Sequence, residues 1–288
     1  MGNTIALAKS YVPNLDEIYK LSSLSAVLTS DQGLAKAGAK ANEIIIPKIS
    51  MDGLGDYSRS NGYAQGDVTL DWETVQFNYD RGRRFNVDVE DDEETINTAF
   101  GRLGAEFMRT KVVPEVDAFT FAQLSAKAGT TVSATLSSGT DVTAAITAAN
   151  SAMDDAEVPK EGRILFITST HLNDVDALDT IKSRKMLERF SQIITVPQSR
   201  FYTAIDQLDG TTSGEEAGGY AKATGAKDIN FMIIHKPAVI QFEKHVVPKI
   251  VTPEQNQNAD AWKFGYRNVS IADGYDNKVK GIYLHKNA

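Results

Sequence analysis

The 288-residue chain contains no cysteine, which excludes disulfides, thiol nucleophiles and cysteine-ligated metals. Histidine is scarce. The four present, His171, His235, His245 and His285, include no pair at the i, i+4 spacing or in the HExxH form that places two metal ligands on one helix face. No stretch approaches the ~20 apolar residues of a membrane span. The opening "MGNTIALAKSYVPNL" lacks a basic segment followed by a long apolar run, and Ala6 stands where a myristoylation signal wants Ser or Thr. An intracellular product with little processing is therefore expected. Net positive charge is missing as well: 30 Lys and Arg face 38 Asp and Glu, a formal charge of -8. That balance argues against gripping phosphate backbones by charge neutralisation.

With 42% hydrophobic and 24% charged residues, the composition is that of a folded soluble protein of one or two domains. Residues 1–41 form a polar, Ala/Ser-rich lead with a weak helical pattern in Leu15, Ile18, Leu21, Leu24 and Val27, read as an arm that packs on something else. "NEIIIPKIS" is a strand whose Pro47 confines it to an edge or an exposed ribbon. "MDGLGDYSRSNGYAQG", with four glycines, reads as a long flexible connection. In "DVTLDWETVQFNYD" the apolar parity changes: Val68, Leu70 and Trp72 share one side, Val75, Phe77 and Tyr79 the other. A bulge or twist at Glu73 and Thr74 would reconcile them. Residues 42–80 thus read as two strands with too few apolar residues for a private core, and such a ribbon needs a surface to lie on.

After "DRGRR" the alternation returns in Phe85, Val87 and Val89, consistent with a hairpin about Gly82 or with one curved strand. From Glu93 to about Ala128 the spacing is helical, a rod of about 50 Å, with a kink expected at Pro114. A polar break, "GTTVSATLSSGT", precedes a helix that Asp141 can cap and Pro159 closes. "RILFITS" is a buried strand, "THLNDVDALDTIKSRKML" a further helix, and the last sixty residues are mostly strand. The fold class is α+β.

Catalytic constellations are weak throughout. "GGYAKATGAK" has an extra residue between its glycines and no Ser or Thr after its lysine, so it fails as a phosphate loop and reads as a surface loop. "RILFITSTHLNDV" is a strand feeding a helix, which can bind an anion but occurs in any α/β layer. The acidic run Asp88, Glu90, Asp91, Asp92, Glu93 and Glu94 lacks the spacing of a calcium loop and fits the start of a long helix, where carboxylates oppose the dipole. Arg81, Arg83 and Arg84 lack interleaved aromatics for nucleic acid. They are either a solvated turn or one half of a charge-complementary protein interface.

The ordered segments, above all "DRGRRFNVDVEDDEET", "FGRLGAEFMRTKVVPEVDAF" and the tail "WKFGYRNVSIADGYDNKVKGIYLHK", resemble major capsid proteins of tailed bacteriophages with the HK97-type fold. That resemblance implies an N-terminal arm (1–41), an extended β-hairpin loop (42–80), a peripheral domain with a spine helix (81–130), an axial domain (131–235), and strands returning to the peripheral domain with a final axial strand (236–288). It implies a non-enzymatic subunit, without cofactor, catalytic residue or metal. Such a subunit self-assembles into hexamers and pentamers of an icosahedral virion shell enclosing double-stranded DNA. Scaffolding, portal and decoration proteins are the implied partners, no membrane is involved, and assembly takes place in the host cytoplasm. Arg59, Arg81, Arg83, Arg84 and Glu90 are the expected intersubunit contacts. No covalent crosslink can be placed. The alternatives are an encapsulin-like nanocompartment shell and a small-molecule α/β enzyme built on residues 163–169.

Overall fold

The computed structural model describes residues 23–30, 36–37, 43–60, 62–89 and 98–288. The early part of the lead and the acidic stretch from Glu90 to Glu94, where the long helix was expected to begin, lie outside the described residues.

The largest sheet has the order β5-β13-β10-β6-β7, built from β5 (Thr130–Ser133), β6 (Arg163–Thr168), β7 (Gln192–Val196), β10 (Ile229–His235) and β13 (Ile282–Lys286). β6 and β10 pair antiparallel at its centre, while β5 and β7 add in parallel at the two edges. The unbroken apolar runs "RILFIT" and "NFMII" are explained by burial on both faces. Ile164, Phe166, Met232 and Ile234 belong to one apolar cluster with Phe121 and Leu124. Leu165, Ile167, Phe231 and Ile233 belong to another, with Val142, Ile146 and Met153. That second layer is α3 (Gly139–Asp155), α4 (Ser169–Asp176) and α5 (Ile181–Leu187). The cap of α3 is Ser138, whose hydroxyl accepts from the Asp141 amide, while Asp141 accepts in return from the Ser137 amide. The expected cap thus sits three residues inside, where its carboxylate holds the amide of the residue before the cap. The single helix expected over 170–187 is two, broken at Asp179, which has φ 42°, and restarted by a Thr180–Ser183 capping box. The polar break contains β5, a strand the sequence did not signal because its side chains are largely exposed.

A second sheet, β11-β12-β4, is a twisted antiparallel trio: β4 (Tyr79–Asp88), β11 (Val239–Val251) and β12 (Ala261–Gly274). β4 is one continuous strand, so of the two readings of the Gly82 region the curved strand holds and the hairpin does not. Gly82 is required by proximity: a Cβ there would lie 2.7 Å from the Tyr266 carbonyl oxygen on β12. Two further short strands, β8 (Ile205–Leu208) and β9 (Gly219–Lys222), form a separate antiparallel pair.

One long helical element lies between the sheets. α1 (Thr98–Phe107) passes through a π-helical segment (Met108–Val112) into α2 (Val113–Ala126). Pro114 has no N–H and its ring collides with the carbonyl of Thr110 in regular helix. The widened turn immediately before it accommodates this, so the expected kink takes the form of a π segment. α2 is buried nearly all round. Its first half packs with β4 and β12 through Val113, Val116, Phe119, Phe264 and Tyr266, its second half on the large sheet through Phe121 and Leu124.

The third sheet contains β1 (Lys36–Ala37), β2 (Glu43–Met51) and β3 (Val68–Gln76). β1 reaches only Ile44 and Ile45, so among the described residues β2 has no partner beside Pro47 on that side, which suits a strand proline. The ladder from Glu43↔Gln76 to Met51↔Val68 is continuous. No bulge intervenes at Glu73 and Thr74, and the parity change has another cause, taken up below.

Candidate assembly surface

The β2–β3 hairpin uses its two faces differently along its length. At the root, Ile44, Ile46 and Val75 are buried against Ile240, Phe242 and Ile271. Beyond Glu73 the apolar residues switch to the opposite face: Pro47 pairs with Trp72, Ile49 with Leu70 and Met51 with Val68. Because side chains alternate with period two, these six share the face that points away from the root's contact. Ile49, Met51, Val68, Leu70 and Trp72 are each at least 51% exposed. Of the ten exposed large apolar residues among the described residues, eight belong to this hairpin and its tip, Leu54, Tyr57 and Tyr63 being the other three. A monomer rarely leaves such a set in water.

The glycine-rich connection has its own order. Asp52 and Asp67 continue the ladder, with the Asp67 amide also donating to Asp52 Oδ2 at 2.9 Å. Ser58 and Gly62 exchange backbone hydrogen bonds, and Tyr57 and Tyr63 meet edge to face at 5.0 Å. Arg59 is exposed at this tip.

At the root, Glu73 faces Asp276. Burial and that carboxyl push the Glu73 pKa up, while Lys48 and Lys127 oppose the rise. Lys127, at the end of α2, reaches Asp273 at 3.3 Å and Asp276 at 3.4 Å.

Two of the three arginines of β4, Arg81 and Arg83, are engaged within their own chain. Arg81 Nε donates to Glu115 Oε1 on α2 at 2.8 Å, and its Nη2 donates to the carbonyls of Leu208 and Gly219 at 2.7 and 3.1 Å. Tyr79 also donates to Glu115, and its hydroxyl, desolvated and beside that carboxylate, titrates well above the usual phenol range. Arg83 donates to the Glu216 carbonyl at 2.8 Å and lies against Gly210 and Gly218. Together they clasp the β8–β9 pair to β4 and α2. Arg84 is exposed and makes no ion pair among the described residues; Glu90 lies outside them.

Asp117, which the sequence reading passed over, is fully buried on α2. It accepts from the Ser23 and Ser25 hydroxyls, the Leu24 and Ser25 amides, and Arg200 Nη1 at 3.1 Å. Four of these five donors fix residues 23–25 to the helix, and Leu28 then enters the core. The available signal was a lone acid in the apolar stretch "VDAFTF".

Among the described residues the histidines do not come together as a catalytic grouping. His285 is buried, stacked on Phe231 at 4.8 Å and accepting from Asn230 Nδ2 at 3.0 Å; desolvation, with His171 nearby, lowers its pKa. His171 instead lies 3.6 Å from Asp174, and His235 is pushed down by burial and by Arg163. Among the described residues no cluster of three potential metal ligands occurs, and no helix is long and apolar enough to cross a membrane. The start of α4, considered for an anion, is a helix of eight residues without a glycine turn.

No protein-family profile matches the chain, and no curated protein matches it in sequence. Solved structures do match in fold. The structure titled "Mycobacterium phage Che8" superposes with a TM-score of 0.60 at 14% identity, covering 91% of this chain and 90% of the other. The mature capsid of bacteriophage PhiM1 gives 0.59 at 11% identity, covering 87% and 83%. A virus-like particle from Pyrococcus furiosus gives 0.58 at 12% identity, covering 96% and 98%. The chain has the mixed helix-and-sheet fold of phage capsid subunits, as its strand-to-helix and tail segments implied.

Proposed function

We propose that this chain is a major capsid protein that assembles with copies of itself, as hexamers and pentamers, into an icosahedral shell around double-stranded phage DNA. The observation that carries the reading is the hairpin's outward apolar ladder, which packs on no core among the described residues and has the composition of half an interface. The fold supports it. In this reading residues 43–80 reach over a neighbour, the trio β4, β11 and β12 with α1 and α2 is the peripheral domain, and the five-stranded sheet with α3–α5 is the axial domain. The return of β13 to that sheet supports the assignment of the final strand.

Arg59 and Arg84 are the arginines left to meet a neighbouring subunit, whereas Arg81 stabilises the subunit itself. Glu90 is kept as an intersubunit candidate on sequence grounds. The net charge of -8 suits a shell through which DNA must slide, since an acidic lining repels phosphate. Scaffolding, portal and decoration proteins and assembly in a host cytoplasm belong to the same proposal. The role is structural rather than enzymatic.

Electron microscopy of the purified protein tests this directly: closed shells, rings or tubes are expected, and a discrete monomer at every concentration would overturn it. Nuclease-protected DNA inside particles from an infected host separates a capsid from a nanocompartment, which would hold protein cargo.

A further inference from the structure

The body-facing side of the hairpin changes character at Glu73. Ile44, Ile46 and Val75 precede it in the buried row, and the next residues on that side, Lys48 opposite Asp71 and Ser50 opposite Thr69, are polar. Glu73 is thus the last side chain that the root presses against the body.

What it meets there is acidic. Asp276, which opens the short 3-10 helix after β12, shares a hydrogen bond with the Glu73 carboxyl. Two carboxyl groups can do this only when one of them holds a proton. Lys127 at the end of α2 is divided between Asp273 and Asp276, and Lys48 lies directly opposite Asp71 and diagonal to Glu73. Lys278 is turned away, over the Tyr275 ring and onto the Pro237 carbonyl. Among the described residues, four carboxyl groups, those of Asp71, Glu73, Asp273 and Asp276, therefore share two lysines. Tyr275 closes the remaining side: it packs on the root cluster, and burial together with Glu73 pushes its phenol above the ordinary range. Like charges in a half-buried setting repel, and one shared proton relieves both the repulsion and the cost of desolvation.

We propose that Glu73 and Asp276 form a proton-operated clamp at the root of the hairpin. With the proton in place, β3 is tied to the segment that follows β12. Without it the two carboxylates push apart, and the apolar cluster alone holds the root. The clamp is closed in acid and opens as pH rises through the value at which the pair gives up its proton. It sets how firmly the hairpin is held to its own subunit and does not depend on the self-assembly reading.

Hydrogen exchange of the full-length chain reads the clamp. After correction for the intrinsic exchange rate, the opening constant of amides in β3 is expected to rise severalfold between about pH 5 and pH 8, with peptides from β6 as the internal reference. Glu73→Gln, whose amide donates to Asp276 at any pH, should keep the low opening constant throughout. Glu73→Ala, which has nothing to donate and no charge to repel, should show a raised constant with little dependence on pH. A merely structural acid would not give opposite, pH-independent results in the two variants. Circular dichroism checks that both fold, and light scattering that all three chains are compared in the same state of assembly. A flat wild-type profile would overturn the proposal, and so would a Glu73→Gln profile that rises as the wild type does.

Discussion

β6 and β3 are both strands, yet all six residues of β6 are buried whereas Val75 is the one buried residue of nine in β3. The first strand is finished by its own chain, covered by α2 on one face and α3 on the other. The second is finished at its root alone. Burial of apolar area stabilises by about 25 cal/mol per Å², so residues in the large sheet contribute to folding of the subunit. The same residue types in the hairpin contribute only when another surface covers them. In the proposed shell, one composition therefore serves two equilibria, folding and association.

That division can be broken at graded points. Phe166→Ala, in the doubly covered sheet, is expected to cost the isolated subunit about 3–5 kcal/mol, read from the denaturant midpoint. Arg81→Ala leaves the Glu115 carboxylate without its guanidinium and frees the β8–β9 pair. A loss of about 2–3 kcal/mol is expected, with faster proteolysis between residues 209 and 218. Gly82→Ala forces a methyl against the β12 backbone and should cost about 1–3 kcal/mol. On the other side of the comparison, Ile49→Ser with Leu70→Ser should change subunit stability by less than about 0.5 kcal/mol and yet abolish shells. Equal losses in both assays would erase the distinction.

The smallest effect concerns pH. His285 is held neutral, its folded pKa lying below the ordinary histidine value. Its contribution is present above about pH 6.5 and is lost as pH falls toward the lower folded value, because the unfolded chain then binds the extra proton. His285→Gln should flatten that part of the stability profile. Glu73 runs the other way. Its raised pKa means that stability declines as pH rises from the ordinary carboxylate value through the folded one, and Glu73→Gln should make the hairpin root slightly more stable at neutral pH.

The α+β class, the buried "RILFIT" strand, the extended ribbon and the fold itself were legible in the sequence. Period-two patterning reports parity, and it reported correctly that the hairpin changes sides at Glu73. It could not say why, since a bulge in one strand and a change of the surface being faced produce the same letters. The arginines were legible as a cluster but their acceptors were not. Arg81 binds groups 34, 127 and 138 residues away, and a single sequence holds no record of such distances. β5 was missed because a largely exposed edge strand of Thr and Ser looks like a loop. Asp117 was missed because its five donors come from the two ends of an interaction that only folding closes.

The uninterrupted register of the hairpin has a mechanical consequence. Nine consecutive pairs without a slip make root and tip a single lever, roughly 24 Å from Ile44 at the root to Met51 in the last pair. Its fulcrum is the small cluster around Ile44, Ile46 and Val75. A rocking of about ten degrees there sweeps the far end through ~4 Å over that length. A subunit that must meet neighbours at more than one angle can thus shift its reach by small repacking under three side chains, while the rest of the molecule stands still.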